Sequence, residues 1–175
     1  METTEKIVEA YVRYIRKCAT IPNIKCKGQG EIDILAINPA TGERYHIEVT
    51  ISISGSFKKL TDKVFDPERA KQRTQQASQR RTLGFFEQKK FGGEGVLEEL
   101  GKYGFKDNYK KVIATYDATE GAKVAAAERG IELWYLPKIL AEMRNALEEE
   151  KAYMMDDTMR TLHLFVHSEQ GGRQG

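Results

Sequence analysis

The chain has 175 residues, of which 40% are hydrophobic and 31% charged, enough for one compact core under a well-solvated surface. Mean hydropathy is −0.57, and no apolar run approaches the ~20 residues that a bilayer crossing needs, so we expect no membrane association. Net charge is only +2, so a surface for a polyanion requires local segregation of charge.

The opening segment is charged and helically periodic, without the apolar centre of a signal peptide. Cys18 and Cys26 are the two cysteines, too few for a disulfide framework. Both features predict a cytoplasmic protein. We expect a single domain over residues 1–167, with an insertion at about 55–105 and a disordered Gly-rich tail at 168–175.

The first predicted element is a helix capped by Thr3 or Thr4 and ended by Pro22. Its predicted buried stripe consists of Ile7, Tyr11, Tyr14, Ile15 and Cys18. Two strand-like runs follow, at 31–38 and 44–54, and the short Pro/Gly connection between them is typical of an antiparallel hairpin.

The second half of the chain predicts a strand–helix–strand unit. Residues 67–91 read as a helix that Gly84 can divide. A strand at 109–116 precedes a helix with a capping box that begins at Asp117 and a left-handed C-cap at Gly130. A second strand at 131–136 would lie parallel to the first through a right-handed crossover, and a last helix covers about 138–155. This order predicts an α/β fold, a mixed β-sheet flanked by helices on both faces.

Acidic side chains recur along the predicted hairpin. Residues two apart on a strand share a face, so Glu31 and Asp33 point one way on the first strand, and Glu48 shares a face with His46 and Thr50 on the second. Neighbouring carboxylates repel, and a hard divalent cation would relieve that repulsion. Alternatively, this face of the hairpin meets solvent and the acids are ordinary surface residues. The pattern alone leaves both interpretations open.

The runs GQGEIDILAI and RYHIEVT, after a helix that contains Glu, resemble the PD-(D/E)XK nuclease superfamily, which has the restriction-endonuclease-like fold. The later KKVIATYDATEGAKVAAAERGIELWYL is similar to the strand–helix–strand of its Mrr-type and archaeal Holliday-junction-resolvase branches. The resemblance covers roughly residues 5–140, and 55–105 match no named pattern.

This resemblance implies a site that binds Mg²⁺ or Mn²⁺ and hydrolyses DNA. Asp33 and Glu48 would be the metal-binding acids, and the carbonyl of Val49 a further ligand. Glu9 would be the first-helix acid, with Glu5 as its rival. The resemblance also implies duplex or branched DNA as substrate and a homodimer, for which the strand at 131–136 is a candidate surface.

The sequence departs from the family pattern at Thr50, where the family has a lysine that places positive charge near the attacking water. A threonine hydroxyl can orient water, so Thr50 stays in the predicted catalytic set with Glu9, Asp33 and Glu48, but it cannot supply the charge. Either another lysine fills the position or catalysis is lost. The candidate replacements are Lys25, Lys27, Lys58 and Lys59.

Residues 58–90 contain ten basic and four acidic residues, so this window carries about +6 against about −4 elsewhere. Gln72, Gln75, Gln76 and Gln79 would line one face of the predicted helix, and Arg and Gln side chains suit phosphate and base-edge contacts. A solvated polar helix is the alternative. The predicted nucleic-acid-binding residues are Lys58, Lys59, Lys71, Gln72, Arg73, Gln76, Gln79 and Arg80.

Three functions therefore remain open at this level. The first is a metal-dependent DNA endonuclease. The second is a nuclease-like domain that has lost catalysis and serves as a DNA-binding or assembly subunit. The third is a protein-interaction domain without nucleic acid, which predicts no salt-dependent DNA affinity.

Overall fold

The computed structural model describes residues 2–28, 30–53, 58–149 and 156–171. A five-stranded sheet forms the centre, in the order β1-β2-β3-β5-β7. Strands β1, β2 and β3 are antiparallel neighbours, whereas β3, β5 and β7 run parallel. These strands are β1 (Ala19–Lys25), β2 (Glu31–Ile37), β3 (Arg44–Thr50), β5 (Lys110–Thr115) and β7 (Ile131–Tyr135). A separate parallel pair joins β4 (Lys59–Leu60) to β6 (Asp117–Ala118).

Helices cover both faces of this sheet, as the alternation along β5 requires. Val112 packs with Val8 and Met143 in one core cluster, and the next residue, Ile113, packs with Ala122 in the other. The predicted α/β class with a mixed sheet flanked by helices is therefore confirmed. The α-helices are α1 (Thr3–Ala10), α2 (Pro67–Lys71), α3 (Gln76–Gln79), α4 (Leu83–Phe85), α5 (Glu94–Lys102), α6 (Glu120–Glu128), α7 (Leu136–Glu149) and α8 (Asp157–Gly171), and π-helical segments cover Tyr11–Ile15 and Phe86–Phe91.

No helix within the described ranges combines the length and the apolar character that a membrane crossing requires. The predicted antiparallel hairpin is confirmed as β2 and β3, and so is the parallel pair β5 and β7. Gly130 has φ +64° after α6, the left-handed conformation expected for a helix C-cap.

The N-terminal helix differs from its prediction. It ends as a π-helical turn in which Arg16 N–H donates to the Tyr11 carbonyl, and Tyr14 is exposed rather than part of the buried stripe. Pro22 does not end a helix but lies within β1, opposite Ile34. Because β1 is at the edge of the sheet, a residue without an N–H is tolerated there.

The predicted helix over 67–91 was wrong in its continuity. The chain leaves α2 at Gln72, whose ψ is 122°, and leaves α3 again before Thr82. Thr82 Oγ1 accepts a hydrogen bond from Phe85 N–H and so caps α4. Gly84 packs so tightly that a Cβ there would lie 2.6 Å from the Phe65 backbone nitrogen, which explains the glycine.

Two further boundaries also differ. The cap of α6 is Thr119, whose side chain accepts from Ala122 N–H, because Asp117 is drawn into β6 and an ion pair with Lys59. The tail predicted as disordered from 168 is helical as far as Gly171. Residues 172–175, and 150–155 of the predicted last helix, lie outside the described residues.

Candidate active site

The register of the β2–β3 hairpin brings the two predicted acids together. Ile34 lies opposite Ile47, and continuing that antiparallel register by one residue sets Asp33 opposite Glu48. The Val49 N–H donates to Asp33 Oδ2 at 2.7 Å. Glu48 is 0% exposed and Asp33 is 7% exposed, so these carboxylates are not the solvated surface acids of the alternative interpretation.

A lysine from a distant part of the chain lies between these carboxylates. Lys90 Nζ is 3.1 Å from Asp33 Oδ1 and 2.5 Å from Glu48 Oε2, and it donates to the Glu31 carbonyl at 2.9 Å. The structure thus places a positive charge at the acidic pair, although Thr50 occupies the position where the PD-(D/E)XK pattern has its lysine. None of the replacements named from the sequence has this position.

The π-helical segment Phe86–Phe91 determines where Lys90 points. Phe86 and Phe91 are both 2% exposed, and residues five apart lie near one face of a π-helix, with its i→i+5 hydrogen bonds, but on different faces of an α-helix. With both rings in the core, Lys90 is carried to the cleft side of the segment, where its side chain is about one-fifth exposed. π-Helical turns occur frequently at functional sites.

Burial dominates the electrostatics of this cluster. It raises the pKa of Asp33 to about 7, with a further increase from the charge of Glu48, and it raises the pKa of Glu48 to about 7, although Lys90 acts in the opposite direction. The pKa of Lys90 is raised well above its usual value because the attraction of the two carboxylates exceeds its own burial cost. Lys90 therefore stays charged at every physiological pH, while the acidic pair shares protons near neutrality.

A buried histidine completes the cluster. His46 Nε2 lies 2.7 Å from Glu48 Oε1, and both side chains are 0% exposed. Burial, with the nearby charge of Lys90, lowers the pKa of His46 to about 3, so the imidazole is neutral. The sequence indicated only that His46 shares a strand face with Glu48.

The cluster opens into a cleft of about 930 Å³. Asp33, Thr50 and Lys90 are among its lining residues, and the stretch from α2 to the end of the π-helical segment Phe86–Phe91 supplies six of its seven cationic side chains. The cationic side chains that line the cleft are Lys27, Lys71, Arg73, Arg80, Arg81, Lys89 and Lys90, and the acidic ones are Glu2, Glu5, Glu31, Asp33 and Glu94.

The two candidate acids of the first helix, Glu9 and its rival Glu5, lie on different sides of α1. Glu9 accepts a hydrogen bond from Thr20 Oγ1 at 2.8 Å and lies near Arg13, and it does not line the cleft. Glu5 does line it, and burial together with the Asp33 charge raises the pKa of Glu5. The two acids are about one helical turn apart on α1. Glu9 faces β1, whereas Glu5 faces the cleft.

None of the four candidate lysines contacts Asp33 or Glu48 in the described part of the chain. Lys25 pairs with Glu31 at 2.8 Å. Lys58 Nζ lies 5.6 Å from the centre of the Tyr116 ring, and Lys59 pairs with Asp117 at 3.2 Å. Lys27 lines the cleft with its Nζ 3.9 Å from a carboxylate oxygen of Glu98.

The predicted nucleic-acid-binding residues divide into two groups. Lys71, Arg73, Gln76 and Arg80 line the cleft, whereas Lys58, Lys59 and Gln72 do not. Gln79 has a structural role instead: it is 8% exposed, and its Oε1 accepts from the Asp66 N–H at 2.9 Å. The break between α2 and α3 removes the single glutamine face that an unbroken helix would have formed.

The donors present fit a magnesium or manganese ion. Carboxylates of Asp33 and Glu48 with the Val49 carbonyl are hard oxygen ligands, and Mg²⁺ commonly uses one or two carboxylates and keeps several waters. Within the described ranges, no group of three or more His, Cys, Asp or Glu side chains forms a metal cage. Glu48 Oε2 is buried without a hydrogen bond of ordinary geometry from those residues, and its contact with Lys90 is an ion pair.

Comparison with known proteins adds one structural neighbour. No protein-family model matches the chain, and no curated protein matches it in sequence. A solved structure, the crystal structure of the protein of unknown function AF1548, is similar with a TM-score of 0.47 and 14% sequence identity, over 97% of this chain and 98% of that one.

Proposed function

We propose that this protein is a metal-dependent DNA endonuclease of the PD-(D/E)XK type. The observation that carries the proposal is the position of Lys90 Nζ, within 3.1 Å of Asp33 and 2.5 Å of Glu48. It provides, from another element, the positive charge that the sequence lacks at Thr50. The helix, antiparallel hairpin and parallel following strand support the same resemblance.

Each residue of the cluster would have a distinct task. Asp33, Glu48 and the Val49 carbonyl would hold Mg²⁺ or Mn²⁺, and the Val49 N–H fixes the orientation of Asp33. The bound ion would lower the pKa of a water and polarise the scissile phosphate. Lys90 would stabilise negative charge that develops on the phosphate, an interaction typically worth ~10²–10³ in rate. The Thr50 hydroxyl can orient the attacking water.

The cationic side of the cleft would hold the DNA backbone. Lys71 is the last residue of α2, Arg73 lies between α2 and α3, and Arg80 follows α3; all three line the cleft that Asp33 also lines. Phosphate contacts of this kind give sequence-independent affinity and fix the register of the duplex. Cutting both strands would require two copies of the chain, so we place a homodimer in the proposal, with the outer edge of β7 as its candidate contact.

A second candidate function is a DNA-binding or assembly subunit without catalysis. The observation in its favour is again Lys90, because one lysine already compensates much of the negative charge of the pair without any metal. Buried ion clusters of this kind also exist as purely structural features. The two functions differ in metal dependence, since a structural ion cluster needs no divalent cation.

The test is cleavage of labelled linear, nicked and four-way-junction DNA in the presence of Mg²⁺ or Mn²⁺. Wild type is compared with Asp33→Asn and Glu48→Gln, and Glu31→Gln is the matched control because Glu31 lines the same cleft but pairs with Lys25. We expect cleavage that both site variants abolish and the control keeps. Equal DNA binding by all four proteins with no cleavage would favour the non-catalytic subunit, and no DNA binding at all would reject both functions.

A further inference from the structure

His46 is a buried polar side chain with one specific partner. It lies on β3 two residues before Glu48, and its Nε2 is 2.7 Å from Glu48 Oε1. The imidazole packs edge-on against Phe91, with ring centres 4.9 Å apart, and against Tyr109 at 6.2 Å. An apolar side chain would fill this aromatic pocket without the cost of burying ring nitrogens, so the pocket alone does not explain a histidine.

The hydrogen-bond network assigns the ring hydrogen to Nε2. A neutral imidazole has one N–H, and Nδ1 is buried with no hydrogen-bond partner in the described part of the chain. With Glu48 ionised, as it is when it binds a cation, a hydrogen on Nδ1 would leave a buried donor unsatisfied and set the Nε2 lone pair against Glu48 Oε1 at 2.7 Å. His46 Nε2–H therefore donates to Oε1.

This bond divides the two oxygens of Glu48 between two tasks. Oε1 accepts the hydrogen bond from His46, and Oε2 points towards Lys90 Nζ, 2.5 Å away. The rotation of the carboxylate is thereby fixed, so that one oxygen faces the side on which Asp33 lies. A carboxylate held in this way does not need to be ordered when it takes a cation.

We propose that His46 is a positioning residue that orients Glu48 for metal binding, an inference that rests on the proposed metal-dependent function. Partners that hydrogen-bond a liganding carboxylate typically contribute 10–100-fold to metal affinity. The specific contribution here is the hydrogen donated by Nε2, since Nδ1 has no hydrogen-bond partner among the residues described.

Three substitutions separate this donor from simple packing. In His46→Gln the amide nitrogen is as many bonds from Cα as Nε2 is, so it can still donate to Oε1. In His46→Asn the amide nitrogen is one bond shorter and cannot reach, and in His46→Leu the pocket is filled without a donor. Thermal melting of each variant checks that it folds. If His46→Leu does not fold, the comparison of His46→Gln with His46→Asn tests the inference by itself.

The measurement is Mn²⁺ affinity by electron paramagnetic resonance, with wild type and Glu48→Gln as references. We expect His46→Leu and His46→Asn to bind Mn²⁺ about 10–100-fold more weakly, and His46→Gln to stay near wild type. Loss of binding in Glu48→Gln alone, with all three His46 variants like wild type, would overturn the inference and leave the proposed function standing. Equal weakening in the Gln and Asn variants would also overturn it. Absence of Mn²⁺ binding in wild type would overturn both proposals.

Discussion

Lys90 Nζ lies 3.1 Å from Asp33 Oδ1, although 57 residues separate them in the sequence. The contact joins the hairpin to the π-helical segment Phe86–Phe91, two parts of the chain with no local relation. In the PD-(D/E)XK superfamily, which the sequence resembles, the positive charge comes from a lysine on the same strand as the second acid. This chain has Thr50 at that position. A charge delivered by a helix can act on the same phosphate, because electrostatic stabilisation depends on position and not on the element that provides it.

Replacement of Lys90 tests this directly. In Lys90→Met the charge is lost and an unbranched side chain only one heavy atom shorter remains, so we expect cleavage at saturating DNA to fall by ~10²–10³. Mn²⁺ should bind at least as tightly as in wild type, because a cation that competes for Asp33 and Glu48 has been removed. Single-turnover cleavage and Mn²⁺ titration measure the two effects.

Lys89→Met is the matched control for Lys90→Met. Lys89 is its neighbour and also lines the cleft, but no ion pair joins it to the acidic pair among the residues described. We expect Lys89→Met to weaken DNA binding with little change in the rate at saturation. Loss of Mn²⁺ binding in Lys90→Met would instead assign Lys90 a structural role.

The raised pKa values of Asp33 and Glu48 make the stability of the metal-free protein depend on pH. A glutamic acid ionises near 4.3 in an unfolded chain, whereas the pKa of buried Glu48 is raised to about 7. Between these values the folded protein holds a proton that the unfolded chain lacks. The contribution of this group to stability is therefore full below pH ~4.3 and is lost as the pH rises through ~7.

Glu48→Gln should remove the contribution of Glu48 to this pH dependence and leave Asp33 and Lys90 as a balanced pair. We expect the variant to be more stable than wild type by about 1–3 kcal/mol at pH ~8, with a much smaller difference at pH ~5. Urea unfolding at both pH values measures it. Glu120→Gln, at a side chain that is 85% exposed, is the control. A difference between Glu48→Gln and wild type that does not change with pH would contradict the argument.

Much of the hairpin and its acids followed from the sequence. Strand periodicity fixed which residues share a face, and a short Pro/Gly turn fixed the antiparallel pairing. These two facts set acidic side chains on neighbouring strands, and the family resemblance singled out Asp33 and Glu48 among them. Burial of the pair was the part that remained open, because a polar face on a hairpin is equally compatible with solvent.

Lys90 was not predictable in the same way. Its position depends on the π-helical segment Phe86–Phe91 and on a tertiary contact across 57 residues. The tertiary contact leaves no local pattern, and the π-helical segment leaves only the spacing of Phe86 and Phe91, two apolar residues that lie on different faces of an α-helix. For Gln79 the sequence predicted a contact that the structure does not support. Its polar side chain suggested a DNA contact, but it is buried and accepts a hydrogen bond from the Asp66 backbone N–H.

DNA binding should depend on the cleft rather than on the whole basic window. Arg73→Ala with Arg80→Ala removes two cleft cations, so we expect weaker binding on every DNA sequence and a salt dependence whose slope falls by about 1–2. Lys58→Ala with Lys59→Ala is the matched control, since both lysines lie outside the cleft and contact Tyr116 and Asp117. Fluorescence anisotropy at salt concentrations from about 50 to 200 mM gives the slopes. An equal effect of both double variants would place the DNA elsewhere on the surface.

The last prediction distinguishes the two acids of α1. Glu5 lines the cleft and is close enough to Asp33 for that charge to raise the pKa of Glu5, whereas Glu9 accepts a hydrogen bond from Thr20. Glutamine at position 5 can keep the hydrogen bond that Glu5 accepts from the Glu2 N–H, so Glu5→Gln removes charge without removing the helix cap. We expect Glu5→Gln to weaken Mn²⁺ binding by about fivefold, or about 1 kcal/mol, and Glu9→Gln to leave it unchanged. Calorimetric titration of both variants with Mn²⁺ measures these affinities. Weaker Mn²⁺ binding in Glu9→Gln, with Glu5→Gln unchanged, would instead identify Glu9 as the first-helix acid of the site.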